Sequence, residues 1–407
     1  MSSNQYIFPK KTIRDIAVHD KKILLRADFN VPLSEKGEIL SDYRITQTLP
    51  TLHYLLERHC TVVIVAHLGR PEGKPDKQYS LEPVAHYLQQ ALPDTTVQFV
   101  PSTIDDAAWQ ACKKAPQGSI VLLENLRFDP GEEANSADFA ASLRRVSGAD
   151  YFVQDGFGVV HRAHASTDAI THELPAVAGL LLESEVTTLE AAMKHPEHPL
   201  VAVVGGAKIS DKIGFIERLL DLAETVLIGG AMANTFLRYN GCEVGKSKVE
   251  SDQENEIATI LQKAKPNQIV LPKDVVVSKE IATESQSRTV LSTDVQPSDI
   301  ILDVGPQTLQ AFHPILTQAN TLIWNGTLGM AELPQFAKGS SELASLIAKQ
   351  RHSLTSIVGG GDTADFVLDW LQQNPDAHFS HISTGGGASL ELMSGLALPG
   401  VEALITR

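Results

Sequence analysis

The sequence predicts two α/β domains, each a parallel sheet with helices on both faces. Three observations carry this prediction. Short unbroken apolar runs alternate with stretches whose apolar residues recur at helical spacing, the pattern of buried strands between helices. The runs end repeatedly in glycine turns, at residues 205–206, 229–230, 359–361 and 385–387. A length of 407 residues is more than one core ordinarily organises.

In the first part, residues 23–25 read as a strand followed by Arg26, Asp28 and Asn30 and closed by Pro32. Helical spacing over residues 45–58 leads to a second strand, residues 62–66, which delivers His67, Gly69 and Arg70. A further helical stretch covers residues 81–92, and residues 120–123 form a third strand before Glu124, Asn125 and Arg127. Residues 151–153 form a fourth, before Asp155 and, past a glycine-rich turn, His161, Arg162 and His164. Ligands of such sheets bind beyond the carboxyl ends of the strands. Arg70, Arg127 and Arg162 come from three different strand ends, and Arg44 opens the helix after the first. A single arginine there is ordinarily a solvated charge. Four along one edge, with His67, Asp28 and Asn30, predict a pocket for a small, multiply anionic molecule. Asp28 and Asn30 suit either ligand contact or loop bracing. His67 reads as a hydrogen-bond donor to an oxyanion. His161 and His164 lack the spacing of a metal motif.

Residues 180–193 read as one long helix, broken at Pro196 and Pro199, which suits a hinge or a plain connector. The stretch "PLVAVVGGAKISDKIGFIERLL", residues 199–220, is a strand, a Gly205-Gly206 turn and a helix, with Lys208 and Lys212 at the turn. A helix N-terminus with two lysines predicts a polyphosphate site; the alternative is an ordinary turn with solvated lysines, since no Walker A pattern is present. Recurrence favours the phosphate reading. "ETVLIGGAMANTF", "SLTSIVGGGDTADF" and "HFSHISTGGGASLELM" repeat strand, glycines, helix. "NTLIWNGTLGMAE" is a strand ending at Trp324, Asn325 and Gly326. "NQIVLPKDVVV" reads as a strand with Pro272 and Asp274 beyond it, and "DIILDVGPQT" as a short strand or turn. No G-x-G-x-x-G dinucleotide fingerprint occurs. Asp362 suits a Mg²⁺ held by one carboxylate plus ligand phosphates, or the N-cap of a helix starting at Thr363.

The net charge of −15 argues against nucleic acid or an anionic membrane as the main partner. Nine of the fourteen arginines nevertheless lie in residues 1–180. Three cysteines without pairing or metal spacing predict a reducing, cytoplasmic setting. No secretory signal and no apolar run long enough to span a bilayer is seen.

The blocks "LLRADFNVP", "DYRI", "AHLGRPEGKP", "LLENLRF", "HRAHAS", "VVGGAKISDK", "GGAMANTF", "LPKDVVV", "WNGTLG", "VGGGDT", "STGGGASLE" and "LPGVEAL" resemble the phosphoglycerate kinase family, in its order and over essentially the whole chain. The resemblance implies two doubly wound, Rossmann-like domains joined by a hinge helix. It places a 3-phosphoglycerate-binding domain at 1–180, a nucleotide-binding domain at 181–391, and a tail at 392–407 that returns to the first. It implies that Asp28, Phe29, Asn30, His67, Leu68, Gly69, Arg70, Arg127 and Arg162 bind 3-phosphoglycerate or 1,3-bisphosphoglycerate, with Arg44 beside the transferring group. It carries Gly206, Ala207, Lys208, Lys212, Gly230, Gly305, Asn325, Glu332, Gly360, Gly361, Asp362 and Thr363 over as contacts of ADP or ATP, with Mg²⁺ on Asp362. Lys208, with Gly386 and Gly387 after Thr384, would attend the transfer itself. A monomer is also implied. The chain departs from the family pattern at Thr327, Ala331, Gly156, Val159, Val160 and Ser184, where changes in rate or closure are expected.

Overall fold

The apolar runs of the first part are the strands of one parallel sheet. The computed structural model describes residues 6–350 and 353–407. In chain order the first unit contains β1 (Lys22–Arg26), α1 (Tyr43–Leu56), β2 (Thr61–Val65), α2 (Glu82–Ala91), β3 (Val97–Val100), α3 (Asp106–Lys114), β4 (Ile120–Leu123), α4 (Pro130–Glu133), α5 (Ala137–Ser147), β5 (Tyr151–Gln154) and β6 (Ala176–Ala178). All adjacent pairs are parallel, in the order β3-β4-β2-β1-β5-β6. Ile23, Leu25, Val62, Ile64, Ile120 and Leu122 pack with Ile45, Leu52, Leu55, Val84 and Leu88 of the helices, all buried. Local signals fix the helix ends. Asp105 accepts from Ala108 N at the start of α3, and Ser136 from Phe139 N at the start of α5. Gly148, at φ 58°, ends α5 in the left-handed conformation. From β1 the chain winds to one side and from β5 to the other, so the reversal of winding lies between them, where such sheets bind ligands.

A long helix follows, α6 (Leu180–Lys194). Asp155, just past β5, is fully buried and accepts from Leu181 N at 2.9 Å and Leu182 N at 3.3 Å. Burial raises its carboxyl to about 7, against hydrogen bonds from Thr51, Leu182 and Leu181 that lower it. The folded state thus holds this proton more tightly than the unfolded chain, where an aspartate titrates near ~3.9. Its contribution to stability is full below about pH 4 and lost as pH rises through 7. Asp155→Asn keeps the accepting oxygen without the charge. The variant is expected to gain stability relative to the parent between pH 5 and pH 8, by about 1–3 kcal/mol in urea unfolding. An unchanged difference across that range would show that Asp155 ionises normally.

The second unit contains β7 (Leu200–Val204), α7 (Ile213–Leu222), β8 (Thr225–Ile228), α8 (Gly230–Tyr239), α9 (Glu254–Lys263), β9 (Ile269–Val270), β10 (Asp274–Ser278), β11 (Ser287–Leu291), β12 (Ile300–Val304), α10 (Pro306–Thr317), β13 (Thr321–Asn325), α11 (Lys338–Lys349), β14 (Thr355–Gly359), α12 (Gly361–Gln373), β15 (His381–Ile382) and α13 (Gly387–Met393). Its parallel sheet runs β15-β14-β13-β7-β8-β9, with the reversal of winding between β13 and β7. A second sheet, β11-β10-β12, is antiparallel and was not expected. It extends the reading of "NQIVLPKDVVV" as a strand with Pro272 and Asp274 beyond it: a further strand follows. Pro272, which has no N–H to donate, separates β9 from β10. Asp274 therefore begins a strand, and its carboxylate accepts from Thr308 N at 2.7 Å and Gln307 N at 3.0 Å, capping α10. "DIILDVGPQT" is a full strand followed by a helix with Pro306 at its first position.

The compact units comprise residues 6–187 with 397–407, and residues 188–396. The division falls within α6 and again after Leu396. In the returning segment, α14 (Pro399–Glu402) lies against Val160, with Gly400 N donating to Val160 O at 2.8 Å. A Cβ on Gly400 would stand 3.0 Å from Val160 Cα. Val159 and Val160 are buried, and Val160 packs under the tail. Ile405 N donates to Ala176 O at 3.0 Å, Lys10 Nζ to Glu402 O at 2.8 Å, and Arg407 pairs with Asp15 at 3.1 Å.

Candidate functional site

In the first unit, the loops beyond β1, β2, β4 and β5 hold one another by hydrogen bonds. Arg44 Nη1 donates to Asp28 Oδ2 at 2.5 Å. Asn30 Oδ1 accepts from Gly69 N at 2.8 Å, and Arg127 Nη1 donates to Gly69 O at 2.8 Å. Gly69 sits at φ +62° with the Tyr79 ring where a Cβ would be, 2.3 Å away. Asp28 and Asn30 thus brace the loops. Phe29 and Leu68 are buried, so only their backbone can meet a ligand. Arg127 is buried and paired with Glu133 at 3.1 Å, whereas Arg44 is half-buried and Arg162 exposed. Arg162 Nε donates to His161 Nε2 at 3.1 Å. Arg70 is exposed and makes no hydrogen bond or ion pair among the described residues.

The histidines here are not cations. Burial, with Arg26, Arg127 and Arg44 nearby, pushes His67 well below its ordinary value. Burial likewise lowers His161 and His164 to about 4, helped by Arg162 and Arg127 respectively. The positive charge here is carried by arginines, with Arg26 buried beside His67, and His67 offers a neutral ring.

In the second unit, the loops after β7 and β13 cross in contact. A Cβ on Gly205 would lie 2.2 Å from Thr327 O, and one on Gly230 2.5 Å from Gly206 N. Only glycine permits this approach. Gly206 N donates to Thr327 O at 3.1 Å and Gly205 N to Asn325 O at 2.9 Å. Thr327 Oγ1 donates to Gly329 O at 2.9 Å, Trp324 Nε1 to Gly326 O at 2.8 Å, and Gly326 N to Thr363 Oγ1 at 2.7 Å. Thr327 therefore lies in a loop hydrogen-bonded from several sides.

Two cavities meet there. One, of about 330 Å³, is lined by Gly206, Ala207, Lys208, Lys212, Asn325, Thr327, Gly360, Gly361, Asp362, Thr363, Gly386 and Gly387, among others. Lys212 Nζ donates to Gly205 O at 2.8 Å and Asn325 O at 3.1 Å. Desolvation lowers it to about 8, with Asp362 opposing. Asn325 Nδ2 is buried with no partner among the described residues. The second cavity, of about 410 Å³, shares Gly206, Ala207, Thr327 and Asp362 and continues over Ala231, Val275, Ile301, Leu302, Leu328 and Met330 to Glu332. One end is thus cationic and glycine-walled and the other mainly apolar, the shape and polarity of a nucleotide site.

Gly230 and Glu332 line the larger cavity. Gly305 lines neither: a Cβ there would stand 2.3 Å from the Asp274 carboxyl carbon, so its backbone belongs to the α10 cap. Asp362 is not an N-cap. The cap is Gly360, at φ 89°, and Asp362 stands exposed in the first turn of α12. Among the described residues no group of three or more His, Cys, Asp or Glu could hold a metal by itself. A single carboxylate bordering both cavities fits a cation that is shared with phosphates.

The matching family model, described as phosphoglycerate kinase, covers residues 13–396. The chain belongs to the phosphoglycerate kinase family. It is 45% identical to "Phosphoglycerate kinase" of Chloroflexus aggregans over 97% of its own length and 98% of that protein. It superposes on the phosphoglycerate kinase of Coxiella burnetii with a TM-score of 0.82 and 37% identity, covering 97% of this chain and 98% of that one. For the phosphoglycerate kinase of Pyrococcus horikoshii OT3 the TM-score is 0.83 at 29% identity, with 97% and 98% covered. The family is one of glycolytic kinases, phosphotransferases with a carboxyl group as acceptor, and both parallel sheets have the expected α/β form.

Sequence reading missed Asn234, Lys246, Lys248, Asp303 and Met330 on the walls of the larger cavity. They reach it from α8, the loop after it, β12 and the loop after β13, and no local pattern marks them. Under the arginines it missed Glu132, 0% exposed, and named Arg26, 1% exposed, without giving it a role. A charged residue closing an apolar strand was the one available signal for Arg26.

Proposed function

We propose that the chain reversibly transfers the acyl phosphate of 1,3-bisphosphoglycerate to ADP, yielding 3-phosphoglycerate and ATP. The observation that carries this reading is the pair of joined cavities in the second unit, phosphate-like at one end and base-like at the other. The arginine-rich strand ends of the first unit suit the glycerate substrate. In the transfer, a β-phosphate oxygen of ADP forms the new bond to phosphorus as the bond to the acyl oxygen breaks. The carboxylate leaves without needing a proton. Catalysis is then positioning and charge neutralisation, with no covalent enzyme intermediate.

Arg127, Arg162 and Arg70 hold the non-transferred phosphate, and His67 donates a hydrogen bond to it. Arg44, oriented by Asp28, faces the carboxyl end. Asn325 Nδ2, Lys212 and the backbone of residues 360–363 receive the nucleotide phosphates. Lys208 and the N–H groups at Gly386 and Gly387 follow the charge on the moving group. Magnesium held by Asp362 and the nucleotide phosphates would supply further charge neutralisation. The two substrates belong to different units, so closure about α6 must precede chemistry and expel water. A monomer in the cytoplasm completes the reading.

The test is Mg²⁺- and ATP-dependent phosphorylation of 3-phosphoglycerate by the pure protein, followed as NADH oxidation through glyceraldehyde-3-phosphate dehydrogenase. Turnover supports the reading. Tight MgADP binding without turnover would make the chain a nucleotide-binding regulator instead. In the same assay Asp362→Ala is expected to raise the Mg²⁺ needed for half-maximal rate at least about tenfold. Because Asp362 is exposed and caps nothing, its unfolding midpoint should be unchanged. An unaltered Mg²⁺ requirement would remove Asp362 from the metal's surroundings.

A further inference from the structure

Beneath the arginines of the first unit lies a chain of buried groups that leads to His67. Glu132 Oε1 accepts from Ser166 Oγ at 2.5 Å, and Glu132 Oε2 from Ser166 N at 3.0 Å. Ser166 Oγ accepts in turn from Arg26 Nε at 2.7 Å. Arg26 Nη1 donates to Ala27 O at 2.5 Å, and Arg26 Nη2 lies 3.2 Å from His67 Nδ1. Glu132 and Ser166 are fully buried, Arg26 is 1% exposed and His67 4%.

A guanidinium carries only donors. The short contact between Arg26 Nη2 and His67 Nδ1 therefore makes Nδ1 the acceptor. An imidazole that accepts at Nδ1 carries its proton on Nε2. A doubly protonated ring would set two donors against each other here. We propose that Glu132, Ser166 and Arg26 form a positioning relay that fixes His67 as its Nε2–H tautomer, so that it presents a donor to an oxygen of the anionic substrate. The inference rests on the reading above that this substrate lies at His67.

Each link has its own reason. Arg26 could swing away from the ring, but Ser166 and Ala27 O hold two other edges of its guanidinium. Ser166 would be free to turn, but its hydroxyl donates to Glu132, which leaves the oxygen lone pairs for Arg26 Nε. Glu132 also supplies the charge that lets an arginine stay buried, at 3.9 Å from Arg26 Nη2. The neutral state of His67 agrees: burial and three arginines oppose a second ring proton. The gain is specificity of role. A neutral ring held with its acceptor inward cannot turn a lone pair toward a phosphate or carboxylate oxygen. His164, whose Nδ1 is 3.9 Å from Glu132 Oε1 and has no hydrogen-bond partner among the described residues, has no such lock.

The test is long-range ¹H–¹⁵N NMR of the full-length protein labelled in histidine, with His67 assigned by its loss in His67→Gln. His67 is expected as the Nε2–H form from pH 6 to pH 9, and its resonances should move on adding 3-phosphoglycerate. Ser166→Ala cuts the relay and leaves both charges. It should give a mixture of tautomers and raise the KM for 3-phosphoglycerate about tenfold. The KM for ATP should stay within about twofold, which a general loss of structure would not produce. An Nδ1–H or doubly protonated His67 in the parent protein overturns the relay, whether or not the variant folds. So does a Ser166→Ala protein with unaltered tautomer and KM. A correct tautomer whose resonances ignore saturating 3-phosphoglycerate overturns instead the placement of the substrate at His67.

Discussion

Lys208→Ala is expected to lower kcat about 100- to 1000-fold, roughly 3–4 kcal/mol of transition-state stabilisation. The KM values for ADP and 1,3-bisphosphoglycerate should stay within about threefold. The reason is what does and does not hold the loop. Ile209 N and Ser210 N both donate to Glu250 Oε2, at 2.8 and 3.1 Å, and Ser210 Oγ bonds Glu250 Oε1. The shape of the turn is thus set from Glu250. Lys208 itself is exposed, and its ammonium forms no hydrogen bond or ion pair among the described residues. Its removal leaves the turn in place and takes away only a charge available to the moving phosphoryl group. Lys212 is different, because its ammonium ties Gly205 O to Asn325 O. Lys212→Ala should lose nucleotide affinity and stability together. Steady-state kinetics on both variants decide the matter. A Lys208→Ala enzyme with full kcat and a raised KM would make Lys208 a ground-state binder.

Gly326→Ala should be the most damaging conservative change in the second unit. Its Cβ would stand 2.2 Å from Gly205 C, 2.3 Å from Gly205 O and 2.7 Å from Gly206 N, at φ +102°. These are backbone atoms of the neighbouring loop, which cannot rotate away. Either β7 and β13 separate at their carboxyl ends or the glycine loops are displaced. We expect a loss of more than about 3 kcal/mol in denaturant unfolding, with MgADP binding lost in calorimetry. Gly118→Ala separates the two sources of that cost. Gly118 has φ +75° and no atom within 4 Å of its missing Cβ. It should cost only the conformational penalty, about 1–2 kcal/mol, with nucleotide binding intact. Equal losses in the two variants would mean that backbone strain, not the crossing of the loops, is the constraint.

The same crossing shows what could be read from the residues and what could not. The strand, glycine, helix units were legible because each is local: an apolar run, a turn that tolerates positive φ, a helical repeat. That Gly205 packs against Gly326, and Gly230 against Gly206, was not, since the glycines were read only as room for phosphate. The antiparallel sheet escaped because Ser287–Leu291 is mostly exposed and shows no alternation, while "LPKDVVV" runs on from an apolar stretch without an obvious break. The candidate residues at the strand ends of the first unit were visible as an excess of arginine. Which of them are free was not: Arg127 proves to be buried against Gly69 and Glu133, and Arg70 stands alone. Asp362 could not be placed from sequence, because whether a carboxylate caps a helix depends on where the first turn starts, and here Gly360 starts it.

The return of residues 397–407 to the first unit sets a condition on how the chain is made. A polypeptide leaves the ribosome from its N-terminus, and domains ordinarily fold as they emerge. Here the pairing of Lys11 with Ile405 and of Val160 with Gly400 needs residues 400–405 to be translated. The six strands of the first sheet can assemble early, but the face that receives α14 stays open while the whole second unit is synthesised. The first unit to appear is the last to be finished, and it is finished only after the second unit has been synthesised.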